Sequence, residues 1–151
     1  MSRACSLREF LPPVTTGTRI AFAGDSGNAY LRTGWSDQEK WGRWSNGPHA
    51  LLVFPLHDEK ISSVTIEAQP LIAPNHPVQT VEILVNGIEA GKIAMTEKME
   101  FDIQVPEASQ QNTDGLLRLE FHLPDAVRPS DIGGSKDTRT LALGLIAATL
   151  H

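Results

Sequence analysis

A chain of 151 residues, 40% hydrophobic and 21% charged, has the composition of one globular domain, which excludes wholesale disorder and a second domain of any size. Thirteen basic residues stand scattered among eighteen acidic ones for a formal charge of -5, which excludes a nucleic-acid partner, because phosphate binding needs clustered cations. Cys5 is the only cysteine, so neither an internal disulfide nor a cysteine-based zinc site is expected.

The first residues include Glu9, Pro12 and Pro13 and lack the apolar core of a secretory signal, so export is not expected and a cytoplasmic location is. Residues 1–17 read as an amino-terminal extension and 18–151 as the folded domain. From Thr18 onward, short runs of Val, Ile, Leu and Phe alternate with Pro, Gly, Asn and Asp, the rhythm of an all-β protein. Strands are predicted at 18–22, 29–32, 49–55, 61–68, 78–85, 89–95, 100–105, 116–123 and 140–150. Asp25, between Gly24 and Ser26, is a candidate for a structural Ca²⁺, with a plain turn as the alternative; otherwise no cofactor is expected.

Val64, Ile66 and Ala68 alternate with polar neighbours, as do Phe101, Ile103 and Val105, and Leu117, Leu119, Phe121 and Leu123. These read as antiparallel strands with one buried face. Asn86-Gly87 accepts positive φ at both central positions of a tight hairpin. Pro70, Pro74 and Pro77 mark a loop or edge, and residues 109–115 an exposed loop. The last strand is apolar on two sides, with Leu141, Leu143 and Leu145 facing one way and Ala142, Ile146 and Leu150 the other. Such a strand is central and covered by the amino-terminal segment, or else it forms a subunit contact such as a homodimer. The run falls well short of the roughly twenty residues that span a bilayer as a helix. Nine short strands pack most economically as a two-sheet antiparallel β-sandwich, jelly-roll or immunoglobulin-like in order.

All three tryptophans fall within residues 34–45. Indole faces stack on the apolar faces of sugar rings, and Asp37, Glu39 and Arg43 supply hydrogen-bonding groups for hydroxyls. The bland alternative is that the tryptophans are core anchors and the charged residues hold a loop down. Trp41 and Trp44, three apart, would point to opposite faces of one strand. Asp131, Asp137 and Arg139, in the long polar loop 123–139, either anchor a ligand or clamp the loop.

Gly-Trp followed by Glu39, then Gly-Arg-Trp-Ser, the Asn86-Gly87 hairpin, and Pro-Asp-Ala with Asp-Thr-Arg before a small-residue strand resemble the β-sandwich modules appended to bacterial glycosyltransferases and other surface-polysaccharide proteins. The resemblance spans residues 34–150 and is carried by Trp35, Glu39, Arg43, Trp44, Asn86, Gly87, Asp125, Asp137 and Arg139. It implies a galactose-binding-like jelly roll that binds carbohydrate and does not catalyse, with Trp35, Glu39, Arg43, Trp44, Asp137 and Arg139 at the ligand site. An interaction or oligomerisation domain is the alternative. The common local signatures of hydrolases, zinc proteases and nucleotide-binding enzymes are missing. Glu39 and Asp137 are the carboxylates an acid/base reading would pair, and the five histidines share no close ligand spacing in the sequence, so no metal site is expected.

Overall fold

The computed structural model describes residues 7–25, 27–56, 60–110, 114–133 and 135–151. Cys5, Ser26, His57, residues 111–113 of the expected loop 109–115, and Gly134 lie outside the described residues. In chain order the regular elements are α1 (Leu7–Phe10), β1 (Arg19–Ala21), β2 (Trp35–Gln38), β3 (Arg43–Ser45), β4 (His49–Pro55), β5 (Ser63–Pro70), β6 (Gln79–Val85), β7 (Ile88–Met95), β8 (Met99–Gln104), β9 (Leu116–His122), α2 (Pro129–Ile132) and β10 (Leu143–Leu150). The first sheet runs β2-β3-β10-β5-β8, with β1 on the same edge of β10 as β3 but further along it. The second runs β4-β9-β6-β7, and every pairing is antiparallel. The fold is the expected all-β jelly-roll sandwich.

Alternation decides which side chains meet between the sheets. Val64, Ile66 and Ala68 of β5 face inward with Phe101 and Ile103 of β8. Opposite them stand Leu52 and Phe54 of β4, Leu117, Leu119 and Phe121 of β9, and Val81, Ile83 and Val85 of β6. At Asn86 (φ 48°) and Gly87 (φ 84°) the chain takes the expected tight turn into β7. Asn86 does more than turn: its Nδ2 donates to Ser109 O at 2.7 Å and Leu116 O at 3.2 Å, and its Oδ1 accepts from the Arg118 N–H at 2.7 Å. A hairpin tip of the second sheet is thereby tied to the start of β9.

The last strand departs from strict alternation. Leu145 pairs with Ala68 and Ala147 with Glu67, so Ile146 is an extra residue on β10. A bulge of this kind shifts the facing by one. Leu143 and Leu145 point inward before it, and Ala148 and Leu150, paired with Ile66 and Val64, point inward after it. Leu150 therefore shares the inner face with Leu143 and Leu145, where plain counting put it on the other. The carbonyl of the bulged Ile146 accepts the Phe22 N–H at 2.9 Å.

Among the described residues, the amino-terminal segment meets β10 where Gly17 N–H donates to Leu150 O at 2.8 Å. Upstream of that contact it crosses the second sheet: α1 packs against β4, Leu11 enters the core, Arg8 Nε donates to Leu56 O at 2.6 Å and Tyr30 Oη to Pro12 O at 2.8 Å. Both edges of β10 are occupied, by β5 on one side and β1 and β3 on the other. Residues 28–30 form a 3₁₀ turn rather than part of a strand, with Leu31 making a single bridge to Leu52. Ser109 is buried, its hydroxyl donating to Pro106 O at 2.5 Å, whereas composition had suggested exposure. Among the described residues no helix is long and apolar enough to cross a membrane.

Candidate functional site

The tryptophan segment folds as two short strands, β2 and β3, joined by a turn in which Glu39 N–H donates to Gly42 O at 2.9 Å. That hairpin sorts the three indoles. Trp35 pairs with Ser45 and Trp44 with Gly144, so adjacent Ser45 and Trp44 point to opposite faces, and Trp35 shares the inner one with Ser45. Trp35 meets Phe121 edge-on at 6.4 Å between centroids, and its Nε1 donates to Leu51 O at 2.9 Å. Its entry is set by Gly34, whose φ is 90° and whose missing Cβ would stand 2.0 Å from the His49 carbonyl oxygen; only glycine fits there. Trp35 is thus an anchor of the core.

Trp41 sits in the turn, free of strand alternation, and lies on the outer face beside Trp44. The two rings meet edge-to-face at 5.2 Å and 78°, a favoured arrangement for aromatic pairs. Beneath them Gly144 provides the space: a Cβ there would be 2.9 Å from Cη2 of Trp41. Gly42 similarly seats the turn on β10, since a Cβ at that position would be 2.1 Å from the Leu145 carbonyl oxygen. Spacing in the sequence had put Trp41 and Trp44 on opposite faces; the turn brings them together. The signal available in the sequence was Gly42, which marks residues 39–42 as a turn rather than as strand.

Between this turn and the loop at Gly24 lies an open cleft of about 510 Å³, lined by Gly24, Gln38, Glu39, Lys40 and Trp41. It offers one flat apolar wall and several polar groups, the composition of a ligand site. Behind its rim, Arg139 holds Asp137 in a forked pair, Nε to Oδ1 at 3.0 Å and Nη2 to Oδ2 at 2.6 Å. Arg139 Nη1 donates to Ser36 Oγ at 2.8 Å and stands 3.7 Å from Glu39 Oε2. Arg139 thus ties loop 123–139 to β2 and to the cleft's carboxylate.

Hydrogen bonds from the Arg139 side chain, then from its backbone N–H, hold the Asp137 carboxyl at about 2. A glycosidase acid needs the opposite, a raised value, so Asp137 has no proton to give near neutrality. Arg43 faces inward below the cleft, donating to Ser36 O at 3.2 Å, to Gly24 O at 3.4 Å and to Asn28 Oδ1, and so braces Gly24 and Asn28 against β2. Of the six residues read as ligand-binding, Glu39 reaches the cleft and Arg139 and Asp137 stand behind it. Trp44 buttresses its wall, while Trp35 and Arg43 are scaffold. Trp41, which the sequence reading had left out, forms the wall.

Asp25 makes a turn, its carbonyl accepting the Asn28 N–H at 3.3 Å. Asp131 is exposed and pairs with Arg128 at 3.0 Å on the turn α2, which is itself tied to Asp137 by the Ser130 N–H donating to Asp137 O at 2.8 Å. Among the described residues one group has metal-ligating composition and spacing: His49, Glu120 and His122 on the second sheet. Strand pairing, not sequence proximity, brings the two histidines together.

No family model matches the chain, and no curated protein matches its sequence. Comparison with solved structures finds similar chains, the first of which shares the fold. The CBM36-1 domain of a multidomain xylanase from the hindgut metagenome of Trinervitermes trinervoides is 8% identical with a TM-score of 0.54, over 89% of this chain and 95% of that one. A carbohydrate-binding module CBM36 in complex with calcium and xylotriose is 10% identical at a TM-score of 0.48, over 89% and 99%. A family 35 carbohydrate-binding module from an environmental isolate is 10% identical at 0.45, over 91% and 87%.

Proposed function

We propose that this chain is a non-catalytic carbohydrate-binding module whose sugar face is the Trp41 cleft. The observation that carries the reading is the placement of Trp41: a half-exposed indole, buttressed by Trp44 and seated on Gly144, walls a cleft that also presents Glu39, Gln38 and Lys40. A flat ring contributes stacking on the apolar face of a pyranose, and the carboxylate and amide accept and donate to its hydroxyls. Arg139 stands 3.7 Å from the Glu39 carboxylate, and an ion pair there favours a rim arranged before a ligand arrives, which lowers the entropy cost of binding. The fold shared with the xylanase module supports the same reading, and the resemblance of residues 34–150 favours a bacterial surface polysaccharide.

The test is a titration with a panel of neutral and acidic oligosaccharides, xylotriose among them, followed by tryptophan emission. At least one should shift the emission and saturate, and Trp41→Ala should abolish the response while the domain stays folded. A panel without any saturating response, or a response that survives Trp41→Ala, overturns the proposal.

A further inference from the structure

The outer face of the second sheet carries a cluster unrelated to the cleft. In the antiparallel pairing of β4 with β9, His49 stands directly across from His122 and Leu51 across from Glu120. His122 and Glu120 are two apart on one strand, so they share a face. The two imidazoles meet at 4.5 Å between centroids, and His122 Nε2 lies 2.5 Å from Glu120 Oε2. One ligating atom from each of the three residues lies within 4.8 Å of the others.

We infer that His49, Glu120 and His122 form a binding site for a divalent transition-metal ion of the zinc class. Two imidazoles and a carboxylate are a ligand set zinc takes, with bonds of about 2.0–2.2 Å and a fourth position left for water. Such bonds separate neighbouring ligand atoms by roughly 3.3 Å in a tetrahedral site. The cluster brackets that spacing: side-chain torsions of exposed His49 close the wider gaps, and the ion relieves the close approach of His122 to Glu120. The backbone needs no movement, because β9 is an inner strand of its sheet and the ladder fixes all three Cα positions. Leu51 and Leu84 flank Glu120 on either side, and Glu82 stands across from His122 on β6 as a second carboxylate on the same face. Imidazole selects zinc, nickel or copper over calcium, which prefers an all-oxygen shell.

The test is calorimetric titration of the chelator-stripped full chain with zinc chloride, with calcium chloride as comparison and the melting temperature read in parallel. Expected is one zinc per chain, no heat from calcium, and a rise in Tm of roughly 5–10 °C with zinc at about a hundred times Kd. His49→Ala and His122→Gln should each weaken binding by at least about tenfold, and zinc should move the ring resonances of both histidines. His76→Ala, on a separate loop, should change nothing. His49 is exposed, so its variant folds and remains informative if His122→Gln does not. Absence of zinc binding, or binding that persists in His49→Ala, overturns the assignment; neither result bears on the sugar cleft.

Discussion

Gly144→Ala tests whether the wall of the cleft stands where described. The added methyl would meet Gln69 Cγ at 2.7 Å and Trp41 Cη2 at 2.9 Å and Cζ3 at 3.1 Å. Gln69 can swing away, being the flexible side chain of a half-buried residue, but the indole is held against Trp44 and must lift by about half an ångström to restore van der Waals contact. Overpacking of this kind costs roughly 1–3 kcal/mol. Gly144 has ordinary strand backbone, so alanine also recovers about 0.4–1 kcal/mol by restricting the unfolded chain. The net change runs from about zero to a loss of roughly 2.6 kcal/mol, a fall in Tm of at most about 10 °C for a domain of this size. Displacing one ring of an edge-to-face pair alters its exciton coupling, so the far-ultraviolet circular dichroism should lose its tryptophan couplet. An unchanged couplet together with a Tm that rises, as the entropy term alone dictates, would show that Trp41 does not occupy the space above Gly144.

Trp35→Ala and Trp41→Ala should separate stability from binding: the first removes an indole packed on Phe121 and costs roughly 2–4 kcal/mol by thermal or urea melts, while the second leaves the Tm within a few degrees and removes the sugar response. Asn86→Ala should cost about 2–3 kcal/mol, since it forfeits three hydrogen bonds and a residue tolerant of positive φ; urea unfolding reads this, and a cost under about 0.5 kcal/mol would mean the bonds do not form. The Asp137 carboxyl is lowered to about 2, so the unfolded chain binds that proton first. The Asp137–Arg139 clamp therefore contributes fully above about pH 4 and is lost as pH falls through about 2. Arg139→Gln should make stability less sensitive to pH across that window, and an unaltered profile would count against the clamp.

Strand positions were largely legible because inward-facing residues such as Val64, Ile66 and Ala68 follow the two-residue period that half-burial imposes. β4, seven residues long as His49–Pro55, was read without displacement for that reason. Ala29–Tyr30 misled because a short apolar stretch does not distinguish a strand from a single 3₁₀ turn. The candidate site was harder to see. Trp41 reaches Trp44 only because Gly42 lets the turn settle onto β10, a tertiary contact with no local signal beyond a glycine. His49 and His122 lie 73 positions apart in the sequence, and only the register of β4 against β9 makes them neighbours.

The additional residue at Ile146 has a bearing on engineering the fold. A chimaera joined upstream of that position keeps Ala148 and Leu150 directed into the host interior only if the recipient strand is offset by a single place. Cut-and-paste exchange guided by hydrophobic pattern alone would turn the terminal segment inside out.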